Sequence, residues 1–478
     1  MTAAGLWIGL PALVGLVIVA AGNRYPWSPF AGLVVSGGLA VAGIYATPDE
    51  AITLGPVRLL IHSEQILLGR SFLIGPGLLR VIGAGYGALS LWGIGALALK
   101  THRLFIPSGL IATAFLCASL AVQPWQFAGI FILLAVLVLV PLLSPPGVQP
   151  SGGVLNFVAF QAIGIPFLII AGTLMEGLES IPAGLSLTLR PGIFLGLSFI
   201  FLLAIFPFHG WIPGLTEEYD PISVGFILVL LPGFIGVLGL QLIDRYAFLR
   251  NAPEFFTLVR TVGIMSIFAG GALVLVQRHA GRLLGYAALI ETGMLLIAAG
   301  SGSESGARLF FPLFAARSGG FLVWSAALSA LRKRGISLRF SEMGAALGAH
   351  PLVCAAVLIG TFSAAGFPLL AGFPARLRMA ATLSEIEPTA VFAIWIGMAA
   401  MAAAGARMFA AMFSDPEPFS DLVEPEQDPE TPSPNNSQAP MRVFLAAGCI
   451  LLIVFGLFPG WITWLTETMP LTIEHLGR

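Results

Sequence analysis

Apolar runs of roughly twenty residues, the length that spans a bilayer as a helix, recur along almost the whole chain. That repetition restricts the fold more than any other feature. About fourteen candidate spans fall near 4–21, 29–46, 74–99, 104–122, 126–143, 154–174, 191–207, 220–243, 257–276, 282–300, 308–331, 349–366, 374–413 (a broken pair) and 441–464. Connections are mostly short, so the spans form one polytopic, all-α membrane helix bundle. Composition agrees: of 478 residues, 57% are hydrophobic and 10% charged, against about 25% charged in soluble domains. Mean hydropathy is +0.93. So few charges cannot cover a water-exposed surface. Soluble enzymes and disordered scaffolds are excluded, and with 23 basic against 24 acidic residues no attraction to nucleic acid is expected.

Three stretches depart from the pattern. Ile52–Arg70 contains Arg58, His62 and Glu64 and opens β-branched; it reads as an interfacial hairpin or short strand pair. The segment 414–440 is rich in Pro and Asn. It holds Asp415, Glu417, Asp421, Glu424, Glu426, Asp428 and Glu430 without a base, the composition of a solvated loop. Arg332, Lys333, Arg334 and Arg339 crowd one loop. An excess of base marks the cytoplasmic side, and counting spans back puts the N-terminus outside. The first basic residue is Arg24, so the first apolar run reads as a retained helix rather than a signal peptide, which opens with positive charge. Cys117, Cys354 and Cys449 lie far apart in apolar runs, with no CxxC. They suggest buried thiols rather than a metal or disulfide framework.

Phe206-Pro207-Phe208-His209-Gly210-Trp211-Ile212-Pro213 echoes Phe367-Pro368-Leu369-Leu370-Ala371-Gly372-Phe373-Pro374. Proline removes a backbone donor. Each stretch is therefore expected to break a helix at membrane depth, with Pro207, Pro213, Pro368 and Pro374 marking the breaks. Broken backbone is tolerated there only where it lines protein or a water-filled cavity. Paired breaks are a mark of repeat-built transporters; the plainer alternative is two proline-rich turns.

An ionisable side chain inside a span is a functional candidate, because placing one at the bilayer centre costs ~2.5–3.5 kcal/mol or more. Arg80, His209, Glu291, Arg317 and Arg407 qualify, with Arg376 and Arg378 beside the second break. Glu291 and Arg317, on consecutive spans, are expected to pair, either in a proton path or as a static packing contact. His209 is expected to relay protons or to cap loose carbonyls. Arg407 is expected to join the path or to snorkel to the interface. Gly83-Ala84-Gly85-Tyr86-Gly87-Ala88 follows no strand, so close helix packing explains it better than a dinucleotide site. Glu217-Glu218 reads as a solvated turn, with a cation site at a pore mouth as the alternative.

Several motifs together resemble one family. Leu203-Ala204-Ile205-Phe206-Pro207-Phe208-His209-Gly210-Trp211-Ile212-Pro213, Arg282-Leu283-Leu284-Gly285-Tyr286-Ala287-Ala288 and Ser363-Ala364-Ala365-Gly366-Phe367-Pro368 through Gly372-Phe373 are similar to signatures of the antiporter-like membrane subunits of complex I (NADH-quinone oxidoreductase, N-, M- and L-like) and of Mrp-type cation/proton antiporters. The N-like type is nearest. The resemblance implies about fourteen transmembrane helices with two inverted five-helix repeats containing broken helices. It divides the chain into N-terminal helices at 1–103 with the hairpin near 52–70, a first repeat at 104–243, a second at 257–413, the acidic loop at 414–440 and a C-terminal helix at 441–478. It further implies a subunit without a cofactor of its own in an NADH-quinone oxidoreductase-type translocase. That subunit would work with other membrane subunits and a redox partner in a cell inner (plasma) membrane, moving protons or monovalent cations.

The departures bear on function. Family members usually carry a glutamate on the fifth helix and lysines on the seventh and eighth. Here no Asp or Glu lies between Glu64 and Glu176, and the only lysines are Lys100 and Lys333. Leu134–Val136, Leu202 and Leu231 take the places of the pump residues. In the second half Arg317 falls where the family often has a lysine, and Glu291 where it often has a histidine. Three functions follow as alternatives: a translocating subunit using Glu291, Arg317, His209 and Arg407; a degenerate structural subunit with no proton path; or a stand-alone small-ion carrier.

Overall fold

A computed structural model describes every residue except 55–56, 145–146, 148, 180–185, 303, 415–438, 474 and 476–478. The acidic stretch expected at 414–440 thus lies almost wholly outside the described residues. The chain opens with α1 (Gly5–Ala21) and α2 (Ser28–Tyr45). Two β-hairpins follow, β1 (Ala51–Leu54) with β2 (Val57–Leu60) and β3 (Glu64–Leu67) with β4 (Arg70–Leu73). Then come α3 (Pro76–Ala98), α4 (Phe105–Ala121), the short strand β5 (Val122–Gln123), α5 (Ala128–Leu143), α6 (Gly152–Met175), α7 (Ser186–Leu202), α8 (Trp211–Glu218) and α9 (Pro221–Arg245). The second half contains α10 (Pro253–Val276), α11 (Ala280–Ala299), α12 (Glu304–Arg332), α13 (Pro351–Ala364), α14 (Gly372–Leu383) and α15 (Pro388–Phe413). Finally, α16 (Ala439–Leu457) and α17 (Gly460–Thr466) close the chain.

Among the described residues, ten helices are long and apolar enough to cross a membrane. Four shorter apolar helices, at Gly5–Ala21, Phe105–Ala121, Leu189–Leu202 and Pro351–Ala364, complete the set. Two of these, α7 and α13, are the leading halves of broken spans continued by α8 and α14. The break in the second half therefore falls between α13 and α14, whereas the sequence suggested an unbroken span at 349–366 and a broken pair over 374–413. The sequence also carried the first of these spans through residue 207, but α7 stops at Leu202. Both displacements arise because apolar periodicity runs straight through a change of backbone direction.

The two breaks are built alike. Ala204 (φ 54°) and Gly366 (φ 71°) adopt the left-handed conformation. The next residue reaches back five positions, Ile205 N–H to Ile200 O at 3.0 Å and Phe367 N–H to Phe362 O at 2.9 Å. That pattern closes the end of an α-helix. Pro207 and Pro368 lie in the irregular segments that follow. Pro213 and Pro374 lie in the first turns of α8 and α14, where a missing N–H leaves no helical bond unmade.

Each half then repeats one order: three helices, a broken helix and a closing helix (α4, α5, α6, α7–α8, α9; α10, α11, α12, α13–α14, α15). Five spans per unit place the two units in opposite senses across a membrane. Burial is deepest at the junction: α9 and α11 are covered over most of their length, while α2, α10 and α16 present broad apolar faces outward. The hairpins sit at one end, where the Met1 amino group donates to Leu60 O and β4 pairs with β5.

Candidate ion-pair site at the second helix break

The site is assembled by α11, α12 and α14 around the carbonyl ends of α13. Glu291 on α11 is 3% exposed; Arg317 on α12 and Arg376 on α14 are each 1% exposed. The Glu291 carboxylate is not paired with Arg317, as their spacing on consecutive spans suggested. It accepts from Nη2 of Arg376 in a buried ion pair. Arg376 also donates to Ala364 O (2.8 Å) and Gly372 O (2.6 Å), with a longer contact to Ser363 O (3.4 Å). Ser363 and Ala364 end α13, and the last carbonyls of a helix lack helical donors. A cation there also meets the negative end of the helix dipole. The break therefore orients the guanidinium, and the guanidinium holds the carboxylate. Gly372 is required by this packing: a Cβ there would collide with Ser363 O and the Arg376 guanidinium.

Arg317 turns the other way. Its Nη1 donates to Thr292 Oγ1 (3.1 Å), and Thr292 in turn donates to Ala288 O. Its Nη2 donates to Leu228 O on α9 (2.7 Å), and its guanidinium carbon lies 5.5 Å from the Phe321 ring centre. Arg317 thus touches the neighbour of Glu291 on one side and the first half of the molecule on the other.

The first half has the same frame without the charges. The carbonyl of Leu202 corresponds to that of Ala364, each two residues before the left-handed one. Its donor is the amide of Gln161 at 3.2 Å. Gly164 on α6 lies against Leu202, and Gly320 on α12 against Ala364. Gln161 and Arg317 each precede those glycines by three residues, so Gln161 is the counterpart of Arg317. Leu215, eight residues after Pro207 as Arg376 is eight after Pro368, is fully buried in apolar surroundings. Leu202 and Leu231 are also buried.

The remaining expected residues lie elsewhere. His209 sits in the first break with its ring against Phe206 (5.6 Å) and Tyr286 (6.1 Å). Arg407 on α15 donates to Val274 O and Gln277 O, both at 3.1 Å, and so caps the C-terminal end of α10. Glu217 pairs with Arg282, while Glu218 accepts from Ser151 Oγ and Gly153 N. The acidic turn is thereby occupied by protein donors. Arg376 was visible in sequence only as a charge beside the second break, and nothing in the sequence tied it to Glu291. Gln161 and Thr292 carry no charge and gave no signal.

Residues 186–402, which contain both breaks and all three charges, match the family described as NADH:quinone oxidoreductase/Mrp antiporter, TM. Over these residues the chain is similar to the antiporter-like membrane subunits. Subunit N of the NADH-quinone oxidoreductase of Thioalkalivibrio sulfidiphilus is 26% identical over 271 residues, 54% of this chain and 52% of that one. The chain spans about half the length of the curated relatives it matches. The antiporter-like fold extends further than that. A chain of the Mrp complex from Dietzia sp. superposes with a TM-score of 0.80 at 14% identity, covering 99% of this chain and 97% of that one. A chain of respiratory complex I from Thermus thermophilus gives 0.72 at 18% identity, covering 98% and 99%.

Proposed function

We propose that this chain is a membrane subunit of a complex I-like or Mrp-like assembly, in a cell inner membrane, and that it takes part in proton or cation translocation coupled to a redox partner. The observation that carries the reading is the buried Glu291–Arg376 pair seated on the carbonyls of a broken helix. A carboxylate at that depth exchanges its proton only if the pair parts, and the break is the one place along that span where the backbone is not locked by its own helical bonds. Arg317 fixes the neighbouring turn of α11, and His209, its ring 6.1 Å from that of Tyr286, is the candidate relay in the first break. The repeats extend over 104–243 and 257–413, and the working site belongs to the second.

A second reading, a structural subunit with no proton path, is favoured by the leucines at 202, 215 and 231 along the first-half axis. Glu291→Gln decides between the two. Proton translocation by membranes containing the assembly, normalised to the amount assembled, falls severalfold on the first reading and is unchanged on the second.

The clustering of basic residues supports one orientation. Lys333 Nζ donates to Leu99 O and to Lys100 O, and Phe340 N–H donates to Arg278 O. Lys100, Arg278, Arg332, Lys333 and Arg339 therefore share one end of the bundle. The other end, with the N-terminus, also carries bases, among them Arg70, Arg245 and Arg250, but they are spread over separate segments, whereas Arg332, Lys333, Arg334 and Arg339 crowd one. The crowded end is the cytoplasmic one, which leaves the N-terminus outside. Impermeant thiol labelling of a cysteine introduced at Thr2 checks this.

A further inference from the structure

Among the described residues, the buried core of the second half contains two guanidiniums and one carboxylate. Glu291 is engaged by Arg376, so Arg317 has no ion pair of its own among the described residues. Thr292 and Leu228 offer it dipoles, not a counter-charge. A buried charge left uncompensated is strongly unfavourable. Arg317 also borders a cavity of about 10 Å³ in the seam between the two halves, lined besides by Gln161, Leu202, Trp211, Pro232 and Thr292. That is room for a single water-sized or slightly larger occupant. Two donors on this lining, Arg317 Nε and Trp211 Nε1, are buried without a protein partner. Gln161 Oε1 is the one acceptor in the same position, and it is outweighed by two donors and a net positive charge.

We propose that this cavity is a binding site for one small monovalent anion of the halide class, held by the Arg317 guanidinium and the Trp211 indole N–H. The anion supplies the charge that the protein omits. The site goes beyond the translocation reading and holds whether or not Glu291 handles protons. In the first half Gln161 replaces the corresponding cation, so the anion is needed once and not twice.

The purified assembly containing the full chain tests this by thermal unfolding in sodium gluconate, chloride or bromide at constant ionic strength. The midpoint rises with chloride and saturates, as expected for a ligand bound only by the folded state. The dependence is lost in Arg317→Gln and weakened in Trp211→Phe. Glu291→Gln, which removes the one buried carboxylate of the second half among the described residues, tightens halide binding about tenfold. A midpoint indifferent to halide, a dependence that survives Arg317→Gln, or affinity that fails to rise in Glu291→Gln overturns the proposal. Should Arg317→Gln not fold, bromide located between residues 211 and 317 by anomalous scattering supports the site, and a water there in its place overturns it.

Discussion

Arg317 donates through Nη2 to the main-chain oxygen of Leu228 at 2.7 Å, the oxygen whose helical donor Pro232, four residues on, lacks. Within a lipid-embedded bundle such an acceptor must be satisfied internally. A side chain of α12 therefore completes a backbone bond of α9, and the two halves of the molecule are joined by a polar contact as well as by apolar packing.

This relationship predicts non-additivity. Arg317→Gln is expected to destabilise by about 3 kcal/mol, the scale of breaking a buried polar arrangement. In a Pro232→Ala background, alanine returns the N–H to Leu228, and the penalty should shrink by about 1 kcal/mol, the worth of one hydrogen bond. A double-mutant cycle on unfolding in detergent measures the coupling, and strict additivity contradicts the assignment.

Leu202 lies across the same cavity from Arg317 and is 1% exposed. A lysine there adds a second cation where no acid waits for it; a glutamate brings the charge that Arg317 lacks. Leu202→Glu should therefore be more stable than Leu202→Lys by about 1–3 kcal/mol, even though both bury a charge. Thermal midpoints of the two variants test the sign, and the opposite order refutes it.

His279 reports on pH from outside the membrane spans. It caps α11, its Nδ1 accepting from Arg282 N at 3.3 Å, and burial holds its pKa below the usual 6.5 despite the opposing influence of Glu217. A depressed pKa means that the unfolded chain binds the proton more readily, so stability present above pH ~6.5 declines as the medium is acidified. His279→Asn retains a capping side chain and should flatten the decline between pH 7 and 5. Other histidines, among them His102 and His350, shift in the same direction, so the slope is reduced rather than abolished. A slope unchanged in the variant would falsify the role of His279.

How far the fold and site could be read in advance depended on which signal each feature leaves. Span positions were legible because lipid demands apolar length, and the breaks because paired prolines interrupt that length. The break boundaries were not, since Leu203 through Phe206 is as apolar as the helix before it. Glu291 and Arg317 stood out as charges among apolar neighbours. Their partners did not: Arg376 reaches Glu291 from 85 positions away in sequence, and helical spacing carries no information about which non-adjacent span closes on another. Arg407 looked equally functional in sequence, yet it satisfies the last carbonyls of α10, a task visible only once α10 and α15 are seen side by side.

The Glu291–Arg376 pair has a direction. Its two positions are not equivalent. Around residue 376 lie the oxygens of Ser363, Ala364 and Gly372, all acceptors, which suit a guanidinium and oppose a carboxylate. Glu291→Gln leaves Arg376 buried beside Arg317 with no anion from the protein and is expected to cost about 3–5 kcal/mol. Removing both charges in Glu291→Gln/Arg376→Gln should recover part of that loss, because an amide at 376 can still donate to one carbonyl. Exchanging them in Glu291→Arg/Arg376→Glu should not recover it, although the formal charge is conserved, because the carboxylate would face three carbonyl oxygens and the guanidinium would abandon them. Unfolding midpoints and assembly yields of the three variants, taken together, test whether the break's carbonyls set the polarity. An exchanged pair as stable as the original would show that charge alone matters and that the carbonyl cradle does not.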